Sequence, residues 1–125
     1  MPSTDEPLIS PPLSDAQRYM LFYGLVDWQG PSECTPALAI AMGFSGLEEL
    51  EQDGRRIADA IHAGRGLTVL DWSRALVSTE FIFASDVFGT GREWTTIHGY
   101  DDAYWIDVLR SLQTMLPLSS DGIAT

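Results

Sequence analysis

Four side chains in this sequence could support acid–base chemistry: Glu80, Asp86, Glu93 and His98. On a helix, Glu80 shares a face with Leu76, Val77, Phe83, Ala84 and Val87. Partial loss of water there raises a carboxyl pKa and suits the group to donating a proton. Asp86, Glu93 and His98 follow on a Gly-rich connection. A second carboxylate in a wetter setting would complete an acid–base pair. An acidic chain holds many such pairs, however, and Glu80 bonded to an arginine such as Arg65 or Arg92 is the plainer expectation.

Other catalytic patterns are missing. Gly89-Thr90-Gly91-Arg92 has two glycines and no lysine, which falls short of a phosphate loop and reads as a tight turn. There is no Gly-x-Ser-x-Gly and no Cys–His arrangement to activate a nucleophile. His62, His98 and Cys34 do not sit at ligand spacing, and no calcium-binding loop is present, so neither metal nor cofactor is expected. His62 falls near a helix C-terminus, where a cation is favoured by the helix dipole. Catalysis therefore ranks below binding.

Binding has better support. Trp94, His98, Tyr100, Tyr104 and Trp105 crowd into one stretch and alternate with Glu93, Asp101, Asp102 and Asp107. Aromatic side chains bury much area for little entropy and recur at interfaces. Carboxylates around them complement a basic partner. A second acidic run, Glu48, Glu49 and Asp53, opens a helix where the dipole welcomes it. The candidate protein-binding residues are thus Glu48, Glu49, Asp53, Glu93, Trp94, Tyr100, Asp101 and Asp102. The competing expectation is that the aromatics fill a core.

The charge narrows the partner. Eighteen acids face seven arginines and no lysine, a net charge of -11 over 125 residues. Such a chain repels phosphate backbones and anionic membranes, so nucleic acid and membrane are excluded as partners. No apolar run reaches the roughly 18 residues that a membrane span needs. The helices 36–42 and 46–63 have helix-turn-helix spacing, but the second opens Leu-Glu-Glu-Leu-Glu-Gln-Asp, which would meet phosphates with acids. Five local groupings reduce the arginines: Asp15–Arg18, Glu51–Arg55, Asp59 with Arg55 and Arg56, Asp71–Arg74 and Asp107–Arg110. In size and charge the chain is like small neutralising proteins of the immunity or antitoxin kind, an analogy from bulk properties alone. A homo-oligomeric adaptor packing through an apolar helix 14–28 is the alternative. One cysteine precludes an internal disulfide, and the acidic, Pro-rich start is unlike a signal peptide; a cytoplasmic setting is expected.

These residues must be placed by a mainly α fold. We expect a flexible Pro-rich tail over 1–13, a single compact helical domain over 14–116 and a second tail over 117–125. Ser14 with Gln17 makes a capping box for the first helix, ended by Gly30-Pro31. Thr35-Pro36 opens a short helix, Ser45 with Glu48 caps the next, and Gly64 closes it. Thr68 can cap a helix through 85, although Phe81-Ile82-Phe83 would also suit a strand. Asp101 caps the last helix, which Pro117 stops. Four main helices and one short helix result. The threonines and alternation in Trp94-Thr95-Thr96-Ile97-His98 predict a short extended or β element around 93–98.

Overall fold

The computed structural model describes residues 6–29 and 34–119. Among these residues there are six α-helices: α1 (Asp15–Val26), α2 (Pro36–Ala41), α3 (Leu47–Ala63), α4 (Val69–Ala84), α5 (Glu93–His98) and α6 (Asp102–Met115). One 3-10 turn, Asp27–Gln29, continues α1. No β-strand occurs among the described residues.

The expected β element at 93–98 is therefore corrected: the segment is α5. Its inward side chains explain why. Trp94 is fully buried and His98 nearly so, with ring centroids 4.1 Å apart, while Thr96 and Ile97 face solvent. Only positions four apart turn inward, which is a helical spacing, not a strand's. Packing of these two rings overrides the β preference of Thr95, Thr96 and Ile97.

Most helix starts follow local chemistry. Both halves of the Ser14–Gln17 capping box are formed. Thr35, Thr68 and Asp101 each accept from a backbone N–H three residues on. Each such cap is worth about 1 kcal/mol. The start of α3 differs from expectation. Gly46 is its cap residue and offers no side chain, while Glu49, not Glu48, accepts from the Ser45 N–H at 3.0 Å. Gly64 ends α3 in the left-handed region at φ 75°, a conformation that glycine adopts without strain. Within 67–85 the chain forms helix α4, Val69–Ala84, with Phe81, Ile82 and Phe83 inside it.

Helix α1 is central and packs on α3, α4 and α6. Met20, Leu21 and Leu25 are wholly buried. Gly24 permits the closest approach: a methyl there would collide with the Thr79 hydroxyl on α4. Trp28 donates from Nε1 to the Ser78 carbonyl at 3.0 Å, and Gln17 donates to the Ser111 hydroxyl at 2.9 Å. Ile9 exchanges both backbone hydrogen bonds with Leu67 and accepts from Trp72 Nε1 at 2.8 Å. Of the stretches read as tails, 1–5 and 120–125 lie outside the described residues, as does the Gly30-Pro31 stop.

Candidate functional site

Two polar regions stand out. The first joins α3 to α4. Asp71 is buried and receives Arg56 through both guanidinium nitrogens, at 3.0 and 3.2 Å. Arg74 contacts the same carboxylate at 3.3 Å, reaches Glu49 at 3.3 Å and donates to the Gly43 carbonyl at 2.8 Å. Its guanidinium lies over the Phe44 ring at 5.0 Å. Asp53 sits 3.3 Å from Arg56 and 4.0 Å from Arg74. Burial pulls Arg56 toward its neutral form, but the hydrogen bonds and charges of Asp71 and Asp53 outweigh it, so its pKa is raised. Three acids and two arginines thus satisfy one another.

The second region lies where α1 meets α5 and α6. Tyr19, Tyr23 and Asp27 recur at intervals of four and line one side of the first helical element. His98, at the end of α5, fits against all three. Its Nε2 is 2.8 Å from Asp27 Oδ2, and its Nδ1 is 2.8 Å from the Tyr19 hydroxyl. Ring centroids of Tyr23 and Trp94 lie 5.0 and 4.1 Å from it. The His98 side chain is 3% exposed. A carboxylate at Nε2 assigns the ring proton to that nitrogen, so with the ring neutral Nδ1 accepts from Tyr19. Burial first, then the neighbouring Tyr23 and Asp27, push the Tyr19 pKa up, which keeps the phenol protonated.

In front of this relay is a cavity of about 260 Å³. Asp15, Ala16 and Tyr19 of α1 line it on one side, Tyr104 and Trp105 of α6 on the other, with His98 and Tyr100 between. Trp105 is buried and donates to the Gly99 carbonyl at 2.7 Å. Tyr100 is 71% exposed and stacks on Tyr104 with centroids 4.2 Å apart. Its φ of 59° makes it the one non-glycine residue in the left-handed region among the described residues. A bulky residue there costs of order 1 kcal/mol or more, and such outliers concentrate at ligand sites. Gly99 and Tyr100 together reverse the chain between α5 and α6.

Both candidate stretches can now be placed. Glu49 and Asp53 belong to the ionic cluster, whereas Glu48 is exposed and accepts only from Gln52 at 3.5 Å. Trp94 is core, so its side chain does not reach the surface. Tyr100 lines the groove, and Asp101 and Asp102 adjoin it at the start of α6. Both acids are exposed, and Asp101 also caps α6. Glu93 is exposed on another hollow, of about 600 Å³, together with Asp86 and Arg92.

Of the expected acid–base set only Asp86 and Glu93 share a hollow; Glu80 and His98 lie elsewhere. Glu80 accepts from Gln113 Nε2 at 2.6 Å, Asp86 is held by Arg92, and His98 faces the groove. Arg92 donates to Asp86 from both its backbone N–H and Nε, each at 2.7 Å, and the backbone bond leads in holding the Asp86 carboxyl below its ordinary range. Of the anticipated pairs, Arg74–Asp71 and Arg55–Asp59 form. Arg18 instead donates to the Ile61 carbonyl at 2.7 Å and Arg110 to Gln113 at 2.8 Å. Asp15 and Asp107 have no ion-pair partner among the described residues.

Sequence reasoning missed Tyr19, Asp27 and Asp15 as site residues. The four-residue spacing of Tyr19, Tyr23 and Asp27 was the available signal. No described group of His, Cys, Asp and Glu is arranged to hold a metal ion, and no described helix is long and apolar enough to cross a membrane. No protein-family model, curated protein or solved structure matches the chain.

Proposed function

We propose that this chain is an acidic protein-docking module that binds a basic protein through the groove between α1 and α6. One observation carries the reading: exposed aromatic surface and unneutralised carboxylates coincide there. From Glu93 through Leu109 the chain has four acids and no arginine. Of these, Asp101 and Asp102 adjoin the groove, and Asp15 adds a carboxylate on its facing wall. Aromatic anchors supply buried area at an interface, and surrounding charge supplies steering and orientation. A neutralising role, in which the acidic chain occludes the functional surface of a basic protein, fits this arrangement. So does a cytoplasmic setting, since Cys34 is a free thiol whose burial raises its pKa and lowers its reactivity.

The alternative of a second copy packing through helix 14–28 has less surface to draw on. Within that helix the large hydrophobic residues face α3, α4 and α6, and only Tyr19 is exposed.

The test is affinity capture from source-cell lysate, followed by reconstitution with the purified partner. A partner of net positive charge, with Kd rising as salt is added and rising again for Asp102→Arg, supports the reading. An acidic or neutral partner, or binding indifferent to salt and to that substitution, overturns it.

A further inference from the structure

We infer that the groove is an arginine pocket: it takes the guanidinium of a partner's side chain between Tyr19 and the Tyr100–Tyr104 pair, beside Asp15. This rests on the docking reading and specifies its anchor. Three features of the groove converge on that ligand.

The first is the direction of the relay. The Asp27 carboxylate assigns the proton of the neutral ring to His98 Nε2, so His98 Nδ1 accepts from Tyr19. The Tyr19 phenol proton is thereby committed to His98. Tyr19 Oη then offers lone pairs alone to a ligand, so this position of the groove matches a donor. Second, the walls are ring faces. One face of Tyr100 stacks on Tyr104, and the residue is 71% exposed. Aromatic faces are electron-rich and attract cations, and a flat guanidinium can stack on them where an ammonium cannot. Third, the charge is unmatched. The arginine nearest in sequence, Arg18, is drawn off to the Ile61 carbonyl, which leaves the Asp15 carboxylate available. A guanidinium has five N–H donors in a fixed fork, enough to serve a carboxylate and a phenol oxygen together while its plane lies on a ring. A neutral ureido group of the same shape has neither the charge nor the full donor set.

The experiment uses the full chain and small-molecule probes. The aromatic ring resonances are followed by NMR during titration with N-acetyl-arginine methylamide and with its lysine and citrulline counterparts. The expected result is saturable shifts confined to Tyr19, Tyr100, Tyr104 and Trp105. Arginine should bind at least about tenfold more tightly than citrulline, with lysine between them. Tyr19→Phe keeps the ring and removes the acceptor; it should weaken arginine binding by about fivefold to tenfold while leaving citrulline binding unchanged.

Equal binding of arginine and citrulline overturns the assignment. So does the absence of ring shifts, or shifts confined to rings outside the groove, or a Tyr19→Phe variant that folds and binds arginine normally. Ring broadening that depends on protein concentration alone, without added probe, assigns the groove to a second copy and also overturns it. The two readings fail separately. A basic protein that binds with no effect of Tyr100→Ala or Tyr19→Phe removes the pocket and keeps the docking function. Arginine binding without any basic protein partner keeps the pocket and removes the docking function.

Discussion

The α3–α4 cluster and the α1–α6 groove are both acidic, yet they use their charge in opposite ways. At the first, Glu49, Asp53 and Asp71 close on Arg56 and Arg74 within 4.0 Å. At the second, Asp15 on the wall and Asp102 beside it have no ion-pair partner among the described residues, while Tyr100 and Tyr19 remain exposed. A carboxylate already satisfied inside the protein must lose that partner before it can serve another. Net charge alone therefore locates no interface. Acids that the fold leaves unanswered beside open aromatic surface do.

The comparison is broken most decisively at Asp71. Asp71→Ala removes the buried carboxylate that Arg56 and Arg74 share, leaving Arg74 to Glu49 and the Gly43 carbonyl, and should cost about 2 kcal/mol in urea denaturation. It should leave arginine binding at the groove unchanged; a loss of binding without unfolding would show the two regions to be coupled. His98→Phe comes next. It removes the Asp27 donor and the Tyr19 acceptor together, and the loss at a partly buried carboxylate should lower stability by about 1 kcal/mol. The freed phenol proton should also erase the preference for arginine over citrulline. Tyr100→Ala sharpens the contrast from the other side. Its ring is exposed and its backbone strained, so stability should move by less than about 1 kcal/mol while arginine affinity falls several-fold. A large loss of stability would make Tyr100 a structural residue.

Two pH tests carry smaller effects. Tyr19 has a raised folded-state pKa, so its contribution to stability is complete below the ordinary tyrosine value of 10.0 and is lost as pH rises through the folded value. Ultraviolet titration should show one phenol ionising later than the others, and Tyr19→Phe should remove it. Asp86 has the opposite sign. Its folded-state pKa is lowered by the Arg92 backbone N–H and guanidinium, so its contribution is present above the ordinary carboxylate range and is lost as pH falls through the folded value. The difference in stability between Asp86→Asn and the native chain should shrink as pH drops through that window. Persistence at low pH would mean that the carboxylate charge is not what holds the 86–92 turn.

Helix starts were legible in the sequence because a cap is a contact between residues three apart. Ser14, Thr35, Thr68 and Asp101 each announce a helix that forms. Segment 93–98 misled because its β-branched residues describe local preference, whereas its conformation follows the burial of Trp94 and His98. The groove was half legible. Its aromatic side is contiguous from 98 to 105, but Tyr19 and Asp27 lie 79 and 71 residues from His98. Only tertiary packing joins them. The ionic cluster was hidden for the same reason: Arg74 reaches Glu49 across 25 residues, so Glu49 looked unpartnered from its neighbours alone.

All four tryptophans, Trp28, Trp72, Trp94 and Trp105, are at most 5% exposed. The chain accordingly carries its own optical reporter. Emission from the native protein should lie toward the blue and move red when the core opens to water. Trp105 belongs both to the core and to the groove wall, so an occupant of the groove should dim or shift that one emitter while the other three keep their signal. A set of single Trp→Phe variants would then separate folding from occupancy in the same cuvette, without a label.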